Sequence, residues 1–124
     1  MARQAIIGVS DWPEMQKRMF ELADKLDAGE VLPEADYHLG FADAAQLLSE
    51  LPPRRLDTLR AIKRMGAVSV YAVAKHLGRN YSNVHGDVQK LLEHGLVEKD
   101  EAGRVFVPWD DVVVRIDASL LAAA

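Results

Sequence analysis

The chain has 124 residues, 49% hydrophobic and 27% charged, with no cysteine and a formal net charge of −4. That length suits one domain, or a small domain with an appendage, and it can bury a core without staples. The composition excludes a disulfide scaffold, a cysteine zinc site and a thiol nucleophile, and no apolar run approaches the ~20 residues of a membrane-spanning helix.

Absence of cysteine fits a reducing compartment, and the opening MARQAIIGVS is too short and too weakly apolar for a secretion signal. A cytoplasmic location is expected. In chain order, Ile6, Ile7 and Val9 before a polar stop predict a short strand. A helix should follow over residues 11–28, where Asp11 can cap with Glu14 three residues on, Pro13 sits in the first turn and Gly29 ends it. Its Met15, Met19, Leu22 and Leu26 share one face. Together with Trp12 they are the candidate interface with a second copy or a protein partner. EVLPEADYHLGF reads as a loop or short strand around Pro33, and ADAAQLLSE as a brief helix.

Leu51-Pro52-Pro53 forces a break and suits a new helix start. RRLDTLRAIKRMG then buries Leu56, Leu59 and Ile62 and stops at Gly66. Ser69 caps VYAVAKHLG, which ends at Gly78. A third helix begins almost at once and buries Val84, Val88, Leu91 and Leu92, at i, i+4, i+7 and i+8. LVEKD, a turn at EAG, and RVFVP make a hairpin. The segment DVVVRID alternates as a last strand, and LLAAA is a loose tail.

Charge is divided along the chain. Residues 1–50 carry four Lys/Arg against ten Asp/Glu, whereas residues 54–90 carry eight against two. An acidic segment beside a basic one can meet two different partners.

Three helices with a tight turn before the third, then a hairpin, is the order of a winged helix-turn-helix. The expected fold is therefore mainly α with a small β component: residues 1–50 as a strand–helix extension for dimerisation or partner binding, 51–118 as the winged helix-turn-helix, and 119–124 as a tail. In a helix-turn-helix the recognition helix turns its N-terminal residues to base edges in the major groove. Base edges offer donors and acceptors, so a reading face needs amide, hydroxyl, imidazole and guanidinium groups. Arg79, Asn80, Tyr81, Ser82, Asn83, His85 and Gln89 supply them and are the candidate base readers. Arg54, Arg55, Ser69, Tyr71, Lys75, Lys90 and Arg104 are the candidate phosphate contacts. Gly86 in this helix costs about 1 kcal/mol relative to alanine.

The stretch SVYAVAKHLGRNYSNVHGDVQKLLEHGLVE, preceded by LPPRRLDTLRAI and followed by VPWDDVVVRI, resembles the small MarR-like winged helix-turn-helix DNA-binding proteins. The leader IIGVSDWPEM…LGFADAAQLLSELPPRR is similar to the same group's, so the resemblance covers most of the chain. It implies a homodimeric, sequence-specific repressor that binds its own operator in double-stranded DNA. The group often serves as antitoxins that autoregulate an operon shared with a toxin. The group commonly carries a basic residue where this chain has Gly86, which shifts the expected contacts to Arg79, Asn80, Asn83 and His85. The alternative is a protein-interaction module whose acidic N-terminal half neutralises a toxin, with DNA binding secondary.

An enzyme or metal sensor finds little support. His76, His85 and His94 are spaced by nine, but nine residues along one helix is two and a half turns, so His85 and His94 face opposite sides. No HExxH, nucleophile elbow or phosphate loop is present. No catalytic residue, metal, cofactor or membrane contact is expected.

Overall fold

A computed structural model describes residues 3–9, 21 and 37–116. The expected interface helix, with Trp12, Met15, Met19, Leu22 and Leu26, and the C-terminal tail lie outside the described residues. The architecture is α+β. The chain divides into two compact units, of which one holds the described residues up to Leu47 together with those from Asp111 on, and the other holds Leu48–Asp110.

The first unit is organised by a parallel sheet in the order β2–β1–β5, with β1 spanning Gln4–Val9, β2 Tyr37–Phe41 and β5 Asp111–Arg115. β1 is central, pairing Ile7 with Leu39 on one side and with Val114 on the other. Its Ala5 and Ile7 are fully buried and its Gln4, Ile6 and Gly8 half-buried, the period of two expected of a strand. Helix α1, Ala44–Glu50, runs across the division between the units. Its start is fixed reciprocally: the Asp43 carboxylate accepts from the Gln46 amide at 2.7 Å, and the Gln46 side chain accepts from the Ala42 amide at 2.9 Å. This is a relative of the capping box.

The second unit contains three helices and a hairpin. α2 is Pro53–Met65, α3 is Val70–Leu77 and α4 is Tyr81–Glu93; β3 is Glu98–Lys99 and β4 is Val105–Phe106. Pro53 opens α2, where its missing amide costs no helical hydrogen bond. The Ser69 hydroxyl accepts from the Ala72 amide at the start of α3. Gly78, at φ 65° in the left-handed region, ends α3, and the Arg79 amide reaches back to the Ala74 carbonyl. Asn80 then caps α4 through the Ser82 amide at 2.8 Å. One turn of residues 78–80 thus closes one helix and opens the next.

All three helices pack on one another. Ile62 of α2, Val73 of α3, and Val84, Val88 and Leu91 of α4 are all 0% exposed, as are Leu96 and Val105 beyond them. Each buried side chain of this size stabilises the fold by about 1.5–3 kcal/mol. β4 pairs with β3 on one side and, through two Val68–Val105 hydrogen bonds, with the α2–α3 connection on the other. Trp109 is buried after the hairpin; its indole donates to the Gly95 carbonyl, and its own carbonyl accepts from Lys63 at 2.6 Å.

One boundary differs from expectation. The sequence groups DVVVRID with the helices and hairpin of residues 51–118, but β5 pairs in parallel with β1 and falls in the first unit. Its valines announce a strand without naming the partner, and a parallel partner far away in sequence leaves no local signal. The alternation is also not followed in burial, since Val112 and Val113 are both half-buried and Val114 is exposed. Among the described residues, no helix is long and apolar enough to cross a membrane.

Candidate nucleic-acid interface

The polar residues of α4 fall into two sets. Tyr81, Ser82, Asn83, His85 and Gly86 are exposed, and Gln89 and Lys90 are half-buried. The His85 ring lies 5.8 Å from that of Tyr81, centroid to centroid. On the inward side, at 84, 87, 88 and 91, three apolar residues share their stripe with one carboxylate, Asp87, only 2% exposed.

A buried carboxylate is tolerated only when paired and hydrogen-bonded. Asp87 accepts from Arg55 Nε on one oxygen at 3.1 Å and from Arg79 Nη2 on the other at 2.8 Å. Arg55 also donates to the Glu50 carbonyl at 2.6 Å. Arg79 also donates to the Thr58 hydroxyl at 3.0 Å and the Arg54 carbonyl at 3.4 Å. Thr58, fully buried, in turn donates to the Arg54 carbonyl. One carboxylate thus ties α2 and the α3–α4 turn to α4, and no described buried side-chain polar atom lacks a partner.

Above this clamp opens a cleft of about 470 Å³ lined by Arg54, Arg55, Arg79, Ser82, Asn83, Gly86, Asp87 and Lys90. It sets four cationic side chains against one carboxylate. Six residues singled out in the sequence (Arg54, Arg55, Arg79, Ser82, Asn83 and Lys90) meet there. Asp87 and Thr58 are not among the residues expected from the sequence, although a carboxylate in the apolar stripe of α4 is a readable sign of the first.

Several of the expected contact residues have partners within the protein. Arg79, expected at base edges, and Arg55, expected on phosphate, each have the guanidinium held in orientation by Asp87, with N–H donors left over. Asn80, another expected base reader, has its side-chain oxygen engaged in capping α4. Ser69, expected on a phosphate, has its hydroxyl oxygen engaged in capping α3. Arg104 pairs with Asp100 at 3.0 Å within the hairpin. The Asp100 carboxylate also accepts from the Ala102 and Arg104 amides, so it closes the tip and recruits the nearest cation. The Arg104 amide, and secondarily its guanidinium, hold the Asp100 carboxyl below the usual aspartate range. Tyr71 and Lys75 are exposed on α3 but do not line the cleft, and neither do Tyr81, His85 and Gln89.

At the far end of α4, His94 Nε2 lies 3.1 Å from Glu50 Oε2. That hydrogen bond is the main cause of a lowered Glu50 pKa; partial burial opposes it and the charge of Lys90 adds to it. Among the described residues, no group of three or more His, Cys, Asp or Glu side chains is placed to hold a metal ion.

The model of the family HVO_A0114 matches residues 50–114, just over half of the chain. The chain belongs to the HVO_A0114 family. No curated protein and no solved structure matches it. The HVO_A0114 match takes in α2, α3, α4, the hairpin, the clamp and every residue lining the cleft.

Proposed function

We propose that α2, α3, α4 and the β3–β4 hairpin form a winged helix-turn-helix, and that the protein is a sequence-specific DNA-binding transcriptional regulator. The observation that carries this reading is the start of α4, where Tyr81, Ser82, Asn83 and His85 are all exposed on a helix whose opposite face is core. Solvated donors and acceptors at that end of a third helix suit base edges in the major groove. Two further observations support it. The order helix, single-residue bridge at Val68, helix, three-residue turn, helix, hairpin is that of a winged helix. The cleft beside the reading face is cationic although the chain as a whole is acidic. In this reading the protein binds as a homodimer, two copies reading two half-sites of its own operator.

The test is binding to the duplex upstream of the gene and to a shuffled duplex, across roughly 50–200 mM salt. The upstream duplex binds more tightly, and affinity for both falls with salt. Arg54→Ala and Lys90→Ala weaken both duplexes alike. Binding that ignores sequence and salt would overturn the reading.

We extend the proposal to an antitoxin that represses its own operon. The extension rests on the division between acidic residues 1–50 and the basic stretch 54–90. Co-expression with the neighbouring gene product followed by pull-down tests it. A homodimer that forms no second complex would remove the toxin partner and leave the DNA reading untouched.

A further inference from the structure

We infer that the cleft beside α4 seats one phosphodiester of the DNA backbone, and that Gly86 is the residue that leaves room for it; the inference rests on the DNA-binding reading above. Gly86 sits in the middle of a thirteen-residue helix, where glycine is unfavourable relative to alanine. Nothing among the described residues accounts for it. Its φ is not positive, so the backbone does not require glycine. A Cβ placed there would meet no heavy atom within 4 Å, so neighbouring groups do not require it either. What the missing side chain does change is the wall of the cleft, which Gly86 lines.

The remaining lining suits an oxyanion. Arg54 holds no side-chain hydrogen bond or ion pair among the described residues, and Ser82 is exposed with an uncommitted hydroxyl. Lys90 forms an ion pair with the exposed Glu93 at 3.4 Å, a surface pair that is cheaply exchanged for a phosphate. Arg55 and Arg79 are held in fixed orientations by Asp87, yet each guanidinium carries five N–H donors and neither spends all of them. Oriented guanidinium groups with donors to spare are suited to phosphate. A side chain at position 86 would take up part of the cleft that the arginines line.

Gly86→Ala and Gly86→Leu in the full chain test the idea, because neither changes the charge. Gly86→Ala melts a few degrees higher than the parent, as expected for alanine in a helix. It nevertheless binds the upstream and shuffled duplexes about tenfold more weakly, and Gly86→Leu more weakly still. The slope of log affinity against log salt falls by about 0.9, one phosphate's worth. Variants that melt as expected but bind both duplexes like the parent would overturn the phosphate seat and leave the DNA reading standing. So would millimolar inorganic phosphate, or an acidic peptide, raising the parent's melting point in a Gly86-dependent way while duplex binding is indifferent to position 86. A parent protein that binds no duplex at all would remove both proposals.

Discussion

The two polar sides of α4 are opposites. On the inward side, Asp87 is 2% exposed and both its oxygens are taken, by Arg55 and Arg79. On the outward side Ser82, Asn83 and His85 are exposed and hold no protein hydrogen bond through their side chains among the described residues. The same helix therefore carries polar groups that build the fold and polar groups that the fold does not use. Partnering, more than residue type, separates them: Arg79 and Asn83 both look like base readers in the sequence, and only Asn83 is left free to act as one.

Asp87→Ala makes the sharpest break in this contrast. It leaves two guanidinium groups, 13% and 25% exposed, beside an empty carboxylate site. Loss of one partner from a buried pair costs about 3–5 kcal/mol, and the partial exposure of the arginines places the expected loss near the lower end. Urea unfolding of the variant measures it. If the midpoint hardly moves, the clamp is not structural and Asp87 does not fix the orientation of Arg55 and Arg79.

A finer division is expected between two asparagines three residues apart. Asn80→Ala removes a helix cap and costs about 1 kcal/mol. Asn83→Ala leaves stability within about 0.5 kcal/mol, as a free surface position should, but relaxes base preference by about 1–3 kcal/mol at one operator position. Melting curves and binding to a panel of single-base operator variants separate the two effects. Should both substitutions destabilise alike with no change in preference, the outward face of α4 is not a reading face.

Local signals carried much of this architecture. Pro53, Gly66, Ser69 and Gly78 mark helix starts and stops through φ restriction, capping and positive-φ backbone, all properties of one or two residues, and each element they bound is present. The outward direction of Tyr81–His85 follows equally from the stripe of Val84, Val88 and Leu91. Long-range choices were not legible. Val112–Val114 announce a strand, but nothing local says that it joins β1 in parallel. Arg55 and Arg79 announce cations, but their shared anion lies 32 residues from one and eight from the other. Asp87 was readable in principle, because a carboxylate inside an apolar stripe must find a cation; which cation only the packing decides.

The smallest expected effect lies at the other end of α4, where Glu50 meets His94. The hydrogen bond from the imidazole favours the ionised carboxylate, so the Glu50 pKa is lowered from its ordinary value of 4.5 in the folded protein. A folded pKa below the unfolded one means that the unfolded chain takes up the proton first as pH falls. The stabilisation is therefore complete above about pH 4.5 and is lost as acid carries the folded carboxyl through its own lower pKa. Asp100 is lowered in the same sense by the hairpin amides and Arg104, so it adds to the same acid limb. Glu50→Gln cannot ionise, and its melting temperature should fall less steeply than the parent's below about pH 4.5, with the remaining slope partly due to Asp100. Parallel melting profiles for parent and variant across that range would mean that the Glu50–His94 contact contributes nothing to stability.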